Sequence, residues 1–371
     1  MSAAARARDL GLPIGALPSG PLDAITDVAG VKVGSVTLVA GEGPLQRGVG
    51  PVRTGVTVVV PHDGYDPLFA GCHRLNGNGE LTGLEWIRDS GCLTTPIGLT
   101  NTHSVGVVRD ALVAAEVERH DDDEMFWSLP VVGECWDGVL NDINGFHVRA
   151  EHVHDALARA AGGPVEEGGV GGGTGMISHG FKGGLGTASR VVPEASGAWT
   201  VGVLVQANHG RRSRLAVAGQ AVGSVIGPDV VPLPWDDGPE GAGSIIVLCA
   251  TDAPLLPQQC TRLAQRCALG IARTGGAGEH SSGDLILAFS THRQGVPASE
   301  EAAPDDPVTI PVTMLVDAHM TPLFYAAVEA TEAAIVNALL AAETMTGRDG
   351  NTAHALTAER LMEAMARRGP G

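Results

Sequence analysis

Residues 243–250 read Gly243-Ser244-Ile245-Ile246-Val247-Leu248-Cys249-Ala250. A serine followed by an unbroken apolar run of this length predicts a buried β-strand that begins at the serine. The segment before it, from Trp235 to Gly243, is rich in Gly, Pro and acidic residues, which predicts an exposed loop or an internal break. The junction between this segment and the strand, at Gly243 and Ser244, is therefore the feature on which we base the fold and the chemistry of the chain.

Other buried strands and Ala-rich helices surround the junction. Strands are predicted at 31–34, 56–60, 199–206 and 284–290, and helical segments at 112–117, 153–161, 256–271, 323–343 and 355–367. Cys260 and Cys267 recur with their apolar neighbours at helical spacing, which predicts core positions for both. Apolar strands beside Ala-rich helices predict an α/β (α+β) fold with helices outside a pair of sheets.

The composition excludes several classes of protein. The formal charge of −18 argues against partners such as nucleic acids and anionic membrane surfaces, which require a cationic face. No apolar run approaches the roughly 20 residues that span a bilayer. The N-terminus lacks a long apolar segment, and the six cysteines contain no CxxC pair, so reduced thiols and a cytoplasmic location are expected. Gly accounts for 52 of the 371 residues, which predicts close approach of backbones.

The glycine-rich stretch from Glu166 to Gly175 superficially resembles a phosphate loop. Its spacing fits neither G-x-G-x-x-G nor G-x4-G-K-[ST], and two carboxylates precede it. We therefore expect tight backbone packing or close approach to a ligand here, and no nucleotide site.

Ser244 has two interpretations. The pattern alone favours a serine that merely begins a strand. The second interpretation is a nucleophile exposed by cleavage of the Gly243–Ser244 bond, in which the hydroxyl attacks the preceding carbonyl and forms an ester that water then opens. The freed α-amine, with a reference pKa of about 7.7–8.0, would be a better base near neutral pH than a lysine. Gly suits position 243 because it has no Cβ.

Eight short stretches carry a resemblance that covers the chain from about residue 9 to residue 350. They are Ala24–Gly34, Leu75–Glu80, Val132–Gly138, Val170–Gly175, Val205–Asn208, Gly243–Ile246, Ser282–Asp284 and Glu329–Glu332. Together they resemble the DmpA-type self-processing aminopeptidases (L-aminopeptidase/D-esterase), which include the β-aminopeptidases and are related in fold to the ornithine acetyltransferases.

The resemblance implies a single catalytic domain over 1–371 that cleaves itself at 243/244. It implies an α piece, 1–243, and a β piece, 244–371, which stay associated, and a tetramer of such pairs. The implied architecture is a four-layer α-β-β-α sandwich, similar to the N-terminal nucleophile hydrolases but differently connected. The implied substrates are small peptides, amides or esters with a free amine, and no metal or other cofactor is implied.

The resemblance also implies roles for individual residues. Ser244 matches the nucleophile, Ser282 and Asp284 match the residues that assist it, and Asn208 matches the amide that stabilises the oxyanion. Positions i and i+2 of a strand share a face, so Ser282 and Asp284 can converge, whereas Ser281 could replace Ser282 only if the register shifted.

Two further positions match the substrate site. Glu134 matches the carboxylate that receives the free amino group of the substrate. Trp136 departs from the family, which often has Tyr there. An indole N–H has a different reach, so Trp136 either replaces that donor or lines the pocket with its apolar face.

Three alternatives stay open at this point. A pantetheine-type amidase or an acyltransferase would share the fold and the nucleophile. A ligand-binding relative would keep the fold without processing. A metallohydrolase would use His147, Glu151, His152, His154 and Asp155, but a helix start with surface histidines is the preferred interpretation of that stretch.

Overall fold

The structure is a computed structural model. It describes residues 5–64, 66–120, 125–193, 195, 197–235, 243–297 and 307–367. Of the loop predicted from Trp235 to Gly243, residues 236–242 lie outside the described residues.

The strands and helices follow one another along the chain as mixed α/β structure. The strands are β1 (Lys32–Ala40), β2 (Val52–Val60), β3 (Leu68–Gly77), β4 (Cys92–Leu93), β5 (Ile97–Asn101), β6 (Val131–Cys135), β7 (Ile177–Ser178), β8 (Phe181–Lys182), β9 (Gly184–Val191), β10 (Thr200–Asn208), β11 (Ser244–Thr251), β12 (Gly283–Ser290), β13 (Met345–Thr346) and β14 (Thr352–Ala353). The α-helices are α1 (Leu84–Ser90), α2 (Val105–Arg119), α3 (Ala150–Arg159), α4 (Val222–Val225), α5 (Pro257–Arg273), α6 (Met320–Ala341) and α7 (Ala358–Ala366). Every strand and helix predicted above is present, and several are longer than predicted.

Two sheets carry the fold. The smaller has the strand order β1-β2-β5-β6, and the larger has the order β4-β3-β12-β11-β10-β9. Strand β11 lies inside the larger sheet, antiparallel to β10 and parallel to β12. Its first residue, Ser244, therefore sits opposite Asn208 on one side and Gly283 on the other.

Three apolar cores separate the layers. One core joins α2 and α3 to the outer face of the smaller sheet, a second fills the space between the two sheets, and a third joins the larger sheet to α5 and α6. The predicted four-layer α-β-β-α order is thus confirmed. Cys260 and Cys267 are buried in the third core, as their spacing predicted.

Helix α6 departs from the expectation that no segment is long and apolar enough to span a bilayer. With the short helix before it, the segment Asp317–Ala341 meets that criterion by length and composition. Most of it is buried inside the protein, because it packs across β9 and β10 in the third core. Its apolar character is explained by burial on nearly all sides.

Glycines explain how the helices approach the sheets. A Cβ on Gly34 of β1 would collide with the Ala156 carbonyl of α3, and a Cβ on Gly186 of β9 would collide with the Ala334 carbonyl of α6. Between the sheets, a Cβ on Gly172 would strike Gln206 of the larger sheet and Leu99 of the smaller. The glycine-rich stretch is therefore a packing element, as predicted.

Gly186→Ala tests this packing. The added methyl would force α6 away from β9, and overpacking of this kind destabilises by about 1–3 kcal/mol, which lowers the melting temperature by a few degrees. The matched control is Gly106→Ala in α2, where nothing lies within 4 Å of the new methyl. Calorimetry should show a lower melting temperature for the first variant only, and equal melting temperatures would contradict the packing argument.

Candidate active site

The ends of several strands converge at one edge of the larger sheet. β10 ends at Asn208, β11 begins at Ser244 and β12 begins at Gly283, directly after Ser282. Strand β3 ends beside them, with its Asn76 opposite Asp284. The register thus brings together the four residues that the sequence analysis assigned to the catalytic centre.

The Ser244 hydroxyl is buried and has no hydrogen-bond partner among the described residues. The Cys135 thiol lies near it, at the end of β6, although not in the geometry of a hydrogen bond. Burial raises the pKa of Cys135 to about 12, so that thiol stays protonated and does not compete as a nucleophile. An unpartnered hydroxyl in this setting is free to react.

Ser282 and Asp284 form the pair that their spacing predicted. The Ser282 hydroxyl donates to Asp284 Oδ1 over 2.5 Å, and both residues are buried. Burial raises the pKa of Asp284 to about 6, against the opposing effects of the Ser282 hydroxyl and the Ile245 backbone. The carboxyl is therefore ionised at neutral pH and can orient the hydroxyl. Ser281 is exposed, so the alternative register is wrong.

The loop before Ser282 is fixed from β3, a contribution that sequence reasoning missed. The Asn76 amide donates to the carbonyls of Glu279 (2.9 Å) and Ser282 (2.5 Å), and the Asn78 amide donates to Ser281 (2.8 Å). The Asn-Gly-Asn-Gly sequence at 76–79 carries no local signal of this clamp, because the loop that it holds lies about 200 residues later.

Position 243 requires glycine, because the backbone there lies close to the backbone of Asn208. A Cβ there would collide with the carbonyl oxygen of Asn208. The carbonyl of Gly243 accepts a hydrogen bond from the Gly283 N–H at 3.2 Å. The bond between residues 243 and 244 is thus held by both neighbouring strands, with its carbonyl polarised from one side.

The orientation of the Asn208 amide is set by its neighbours. Its Oδ1 accepts from the Ile177 N–H at 2.7 Å, and its Nδ2 donates to the Trp136 carbonyl at 3.0 Å. Because a backbone N–H can only donate, the oxygen must face Ile177 and the nitrogen must face the other way. The NH₂ group keeps a second hydrogen for another acceptor.

Glu134 is a buried carboxylate at the end of β6. One oxygen accepts from the Glu80 N–H at 2.9 Å, and the other accepts from the Thr102 hydroxyl. Burial raises its pKa, and these two hydrogen bonds oppose the rise. Within the part of the chain that the structure describes, no Lys, Arg or His forms an ion pair with it. Sequence reasoning did not find Thr102, which reaches the site from the end of β5.

Trp136 lines a narrow pocket beside Asn208. Its ring lies against Gly138 and is 47% exposed, which fits the second of its two predicted roles, an apolar pocket wall. The remaining lining residues share small or apolar character, and they are Val139, Gly175, Ile177, Gly180, Gly210 and Trp235.

The histidines near α3 do not gather into a ligand set. His147 contacts Asp142 at 3.0 Å, and the Nδ1 of His152 accepts from the Arg149 backbone at 3.0 Å. His152 and His154 lie on α3, where residues two apart point in different directions. Among the described residues, no group of three or more His, Cys, Asp or Glu side chains could hold a metal ion.

Comparison of the sequence with known proteins finds peptidases. Residues 23–353 match the model of peptidase family S58. The β-peptidyl aminopeptidase BapA of Sphingosinicella microcystinivorans is 49% identical over 366 residues, which cover 94% of this chain and 88% of that protein.

Solved structures match the whole fold. A β-aminopeptidase from a Burkholderia species superposes with a TM-score of 0.90 at 53% identity, over 99% of this chain and all of that chain. The L-aminopeptidase D-Ala-esterase/amidase of Ochrobactrum anthropi superposes with a TM-score of 0.88 at 44% identity, over 98% of each chain. That protein is described as a prototype for the serine aminopeptidases and as a new variant among the Ntn hydrolase fold.

Asn76→Ala tests the clamp on the loop that carries Ser282. Loss of the amide leaves the half-buried carbonyls of Glu279 and Ser282 without this donor, which destabilises by about 1 kcal/mol. Hydrogen exchange should accelerate in residues 279–284, and the melting temperature should fall. Asn78→Ala removes one exposed bond and is the matched control, with a smaller effect expected. Unchanged exchange in residues 279–284 of the Asn76 variant would rule out the clamp.

Proposed function

The chain belongs to peptidase family S58 and is a serine aminopeptidase of the Ntn type, and we propose that it activates itself by cleaving its Gly243–Ser244 bond. One observation carries this proposal. Ser244 has a buried hydroxyl with no partner in the described parts of the chain, directly after a glycine whose carbonyl is already hydrogen-bonded by the Gly283 N–H.

Self-cleavage would proceed as an acyl shift. The Ser244 oxygen attacks the Gly243 carbonyl carbon, the C–N bond breaks, and the nitrogen takes up the proton from the hydroxyl to become an α-amine. Gly243 is then esterified to Ser244. Water hydrolyses the ester, which leaves a carboxylate on Gly243 and restores the hydroxyl. Donation from Gly283 stabilises the developing negative charge on the carbonyl oxygen.

The two pieces would stay associated because they share one sheet. Strands β3, β4, β9 and β10 belong to 1–243, and strands β11 and β12 belong to 244–371. β11 and β12 lie inside that sheet, with β10 on one side and β3 on the other. Cutting the chain before Ser244 removes none of these hydrogen bonds.

In turnover, the Ser244 α-amine takes the proton of its own hydroxyl. The oxygen attacks the acyl carbon of the substrate, and the second N–H of Asn208 donates to the oxyanion. The leaving amine takes the proton, and an acyl-enzyme remains for water to hydrolyse. Asp284, ionised above a pH of about 6, holds the Ser282 hydroxyl toward this centre.

Glu134 would receive the substrate ammonium. It is buried, and two donors fix its oxygens while leaving it without a bonded cation among the described residues. The ammonium group of a substrate would supply a counter-charge to the Glu134 carboxylate, so a substrate would need an unblocked amine. We propose small peptides, amides or esters as substrates, with an N-terminal β-amino residue favoured, since the BapA relative and the Burkholderia neighbour carry that activity in their names.

We further propose that the pairs assemble into a homo-oligomer, a tetramer of α-β pairs. Support comes from an exposed segment after residue 306 in which Val308, Val312, Met314 and Val316 face solvent. Apolar residues grouped in this way mark interaction surfaces. A cytoplasmic location is also proposed, supported by six free cysteines, five of them buried.

The mass of the denatured protein tests self-activation. The wild-type chain should give two pieces, 1–243 and 244–371, roughly two-thirds and one-third of the sequence. Ser244→Ala should give one, because it lacks the attacking oxygen. Ser281→Ala, in the neighbouring loop, is the matched control and should still cleave. Turnover by an uncut wild-type chain would contradict the proposal.

Glu134→Gln tests the ammonium site. The variant keeps the shape but loses the charge, so KM for a free-amine substrate should rise about 10- to 100-fold while kcat changes little. Glu80→Gln is the control for loss of a nearby charge: the Glu80 carboxylate repels Glu134, but only the Glu80 backbone N–H bonds to it, so the KM of this variant should stay near the wild-type value. Steady-state kinetics with an aminoacyl p-nitroanilide gives the comparison, and an unchanged KM in the Glu134 variant would exclude this role.

A further inference from the structure

The chain has only two lysines, and one is fully buried. Lys32 is partly exposed and pairs with Asp63. Lys182, on β8, donates to the carbonyls of Gly183 (2.7 Å), Met176 (2.9 Å) and Gly173 (3.2 Å). No carboxylate of a described residue forms an ion pair with Lys182, and burial lowers its pKa to about 7. The three carbonyls accept from all three N–H bonds of the protonated amine, so the site is built for the ammonium form, although burying that charge without a counter-charge costs free energy.

One peptide group connects this ammonium to the Asn208 amide. The carbonyl of that peptide belongs to Met176 and accepts from Lys182, and its N–H belongs to Ile177 and donates to Asn208 Oδ1 at 2.7 Å. Because the peptide is planar, fixing the carbonyl fixes the direction of the N–H. The Asn208 Nδ2 in turn donates to the Trp136 carbonyl.

We infer that Lys182 is a positioning residue for the Asn208 amide, acting through the Met176–Ile177 peptide. This rests on the proposed function, in which Asn208 donates to the oxyanion. Hydrogen bonds in a chain polarise one another, so a positive charge at the head of the chain strengthens each later donor. Lys182 thus both orients the amide and makes its N–H hydrogens better donors to a developing negative charge.

A merely structural lysine would hold the residue 173–177 loop without regard to Asn208. The positioning role and the merely structural role predict different energetic coupling between Lys182 and Asn208. If Lys182 acts through the Asn208 amide, its loss matters only while that amide is present. If it only supports the loop, its loss adds to the effect of removing the amide.

The experiment is a double-mutant cycle with Lys182→Met, Asn208→Ala and the double variant, and Lys32→Met as control. Turnover numbers are referred to the amount of the 244–371 piece found by mass, so incomplete cleavage is not counted as slow turnover. We expect Lys182→Met to lower kcat about 10- to 100-fold with KM within threefold of wild type. The double variant should lie within threefold of Asn208→Ala, and Lys32→Met should match wild type.

Lys182→Gln keeps the test valid if Lys182→Met does not fold. Glutamine is neutral but still donates a hydrogen bond. Lys182→Gln should also lower kcat, because it lacks the charge. Additive effects in the cycle, wild-type kcat in either Lys182 variant, or failure of both variants to cleave themselves would overturn the inference. An inactive wild-type protein would instead refute the proposed function, so the two failures are distinguishable.

Discussion

The register of one central strand organises this protein. Because β11 pairs with β10 and β12 so that Ser244 lies between Asn208 and Gly283, the attacking hydroxyl, the amide and the supporting Ser-Asp pair reach the same edge of the sheet. A slip of one residue would turn the Ser244 side chain to the opposite face and separate these groups.

The arrangement of the site also requires that neighbouring backbones approach each other closely. The helices contact the sheets at glycines, and Gly243 enters the site against the Asn208 carbonyl, where no side chain fits. The 52 glycines and the low aromatic content, 4% of the residues, are thus two aspects of one mode of packing. A fold assembled from backbones in contact holds its catalytic strand ends rigidly, which an acyl-transfer site requires.

The sequence was informative where chemistry follows from spacing along the chain. The i, i+2 relation of Ser282 and Asp284, the helical spacing of Cys260 and Cys267 and the apolar run after Ser244 each predicted what the structure contains. It was uninformative where groups meet from distant strands. Thr102 and Asn76 contact groups far along the chain, and Lys182 reaches the Asn208 amide only through the Met176–Ile177 peptide, so no local pattern marks these contacts. Trp136 is an intermediate case. The sequence predicted that it belongs to the substrate site, but only the structure shows that its ring forms a wall of the pocket.

The central claim is that one residue supplies both the attacking oxygen and the base. It is tested most directly by trapping the acyl-enzyme with a slowly hydrolysed substrate, digesting it with pepsin in acid, where the protonated α-amine cannot take the acyl group from the oxygen, and locating the acyl group by mass spectrometry. We expect a peptide that begins at Ser244 and carries the acyl group on the side-chain oxygen, as an ester that hydroxylamine removes. An acyl group on any other residue, or a Ser244 peptide still joined to Gly243, would contradict it.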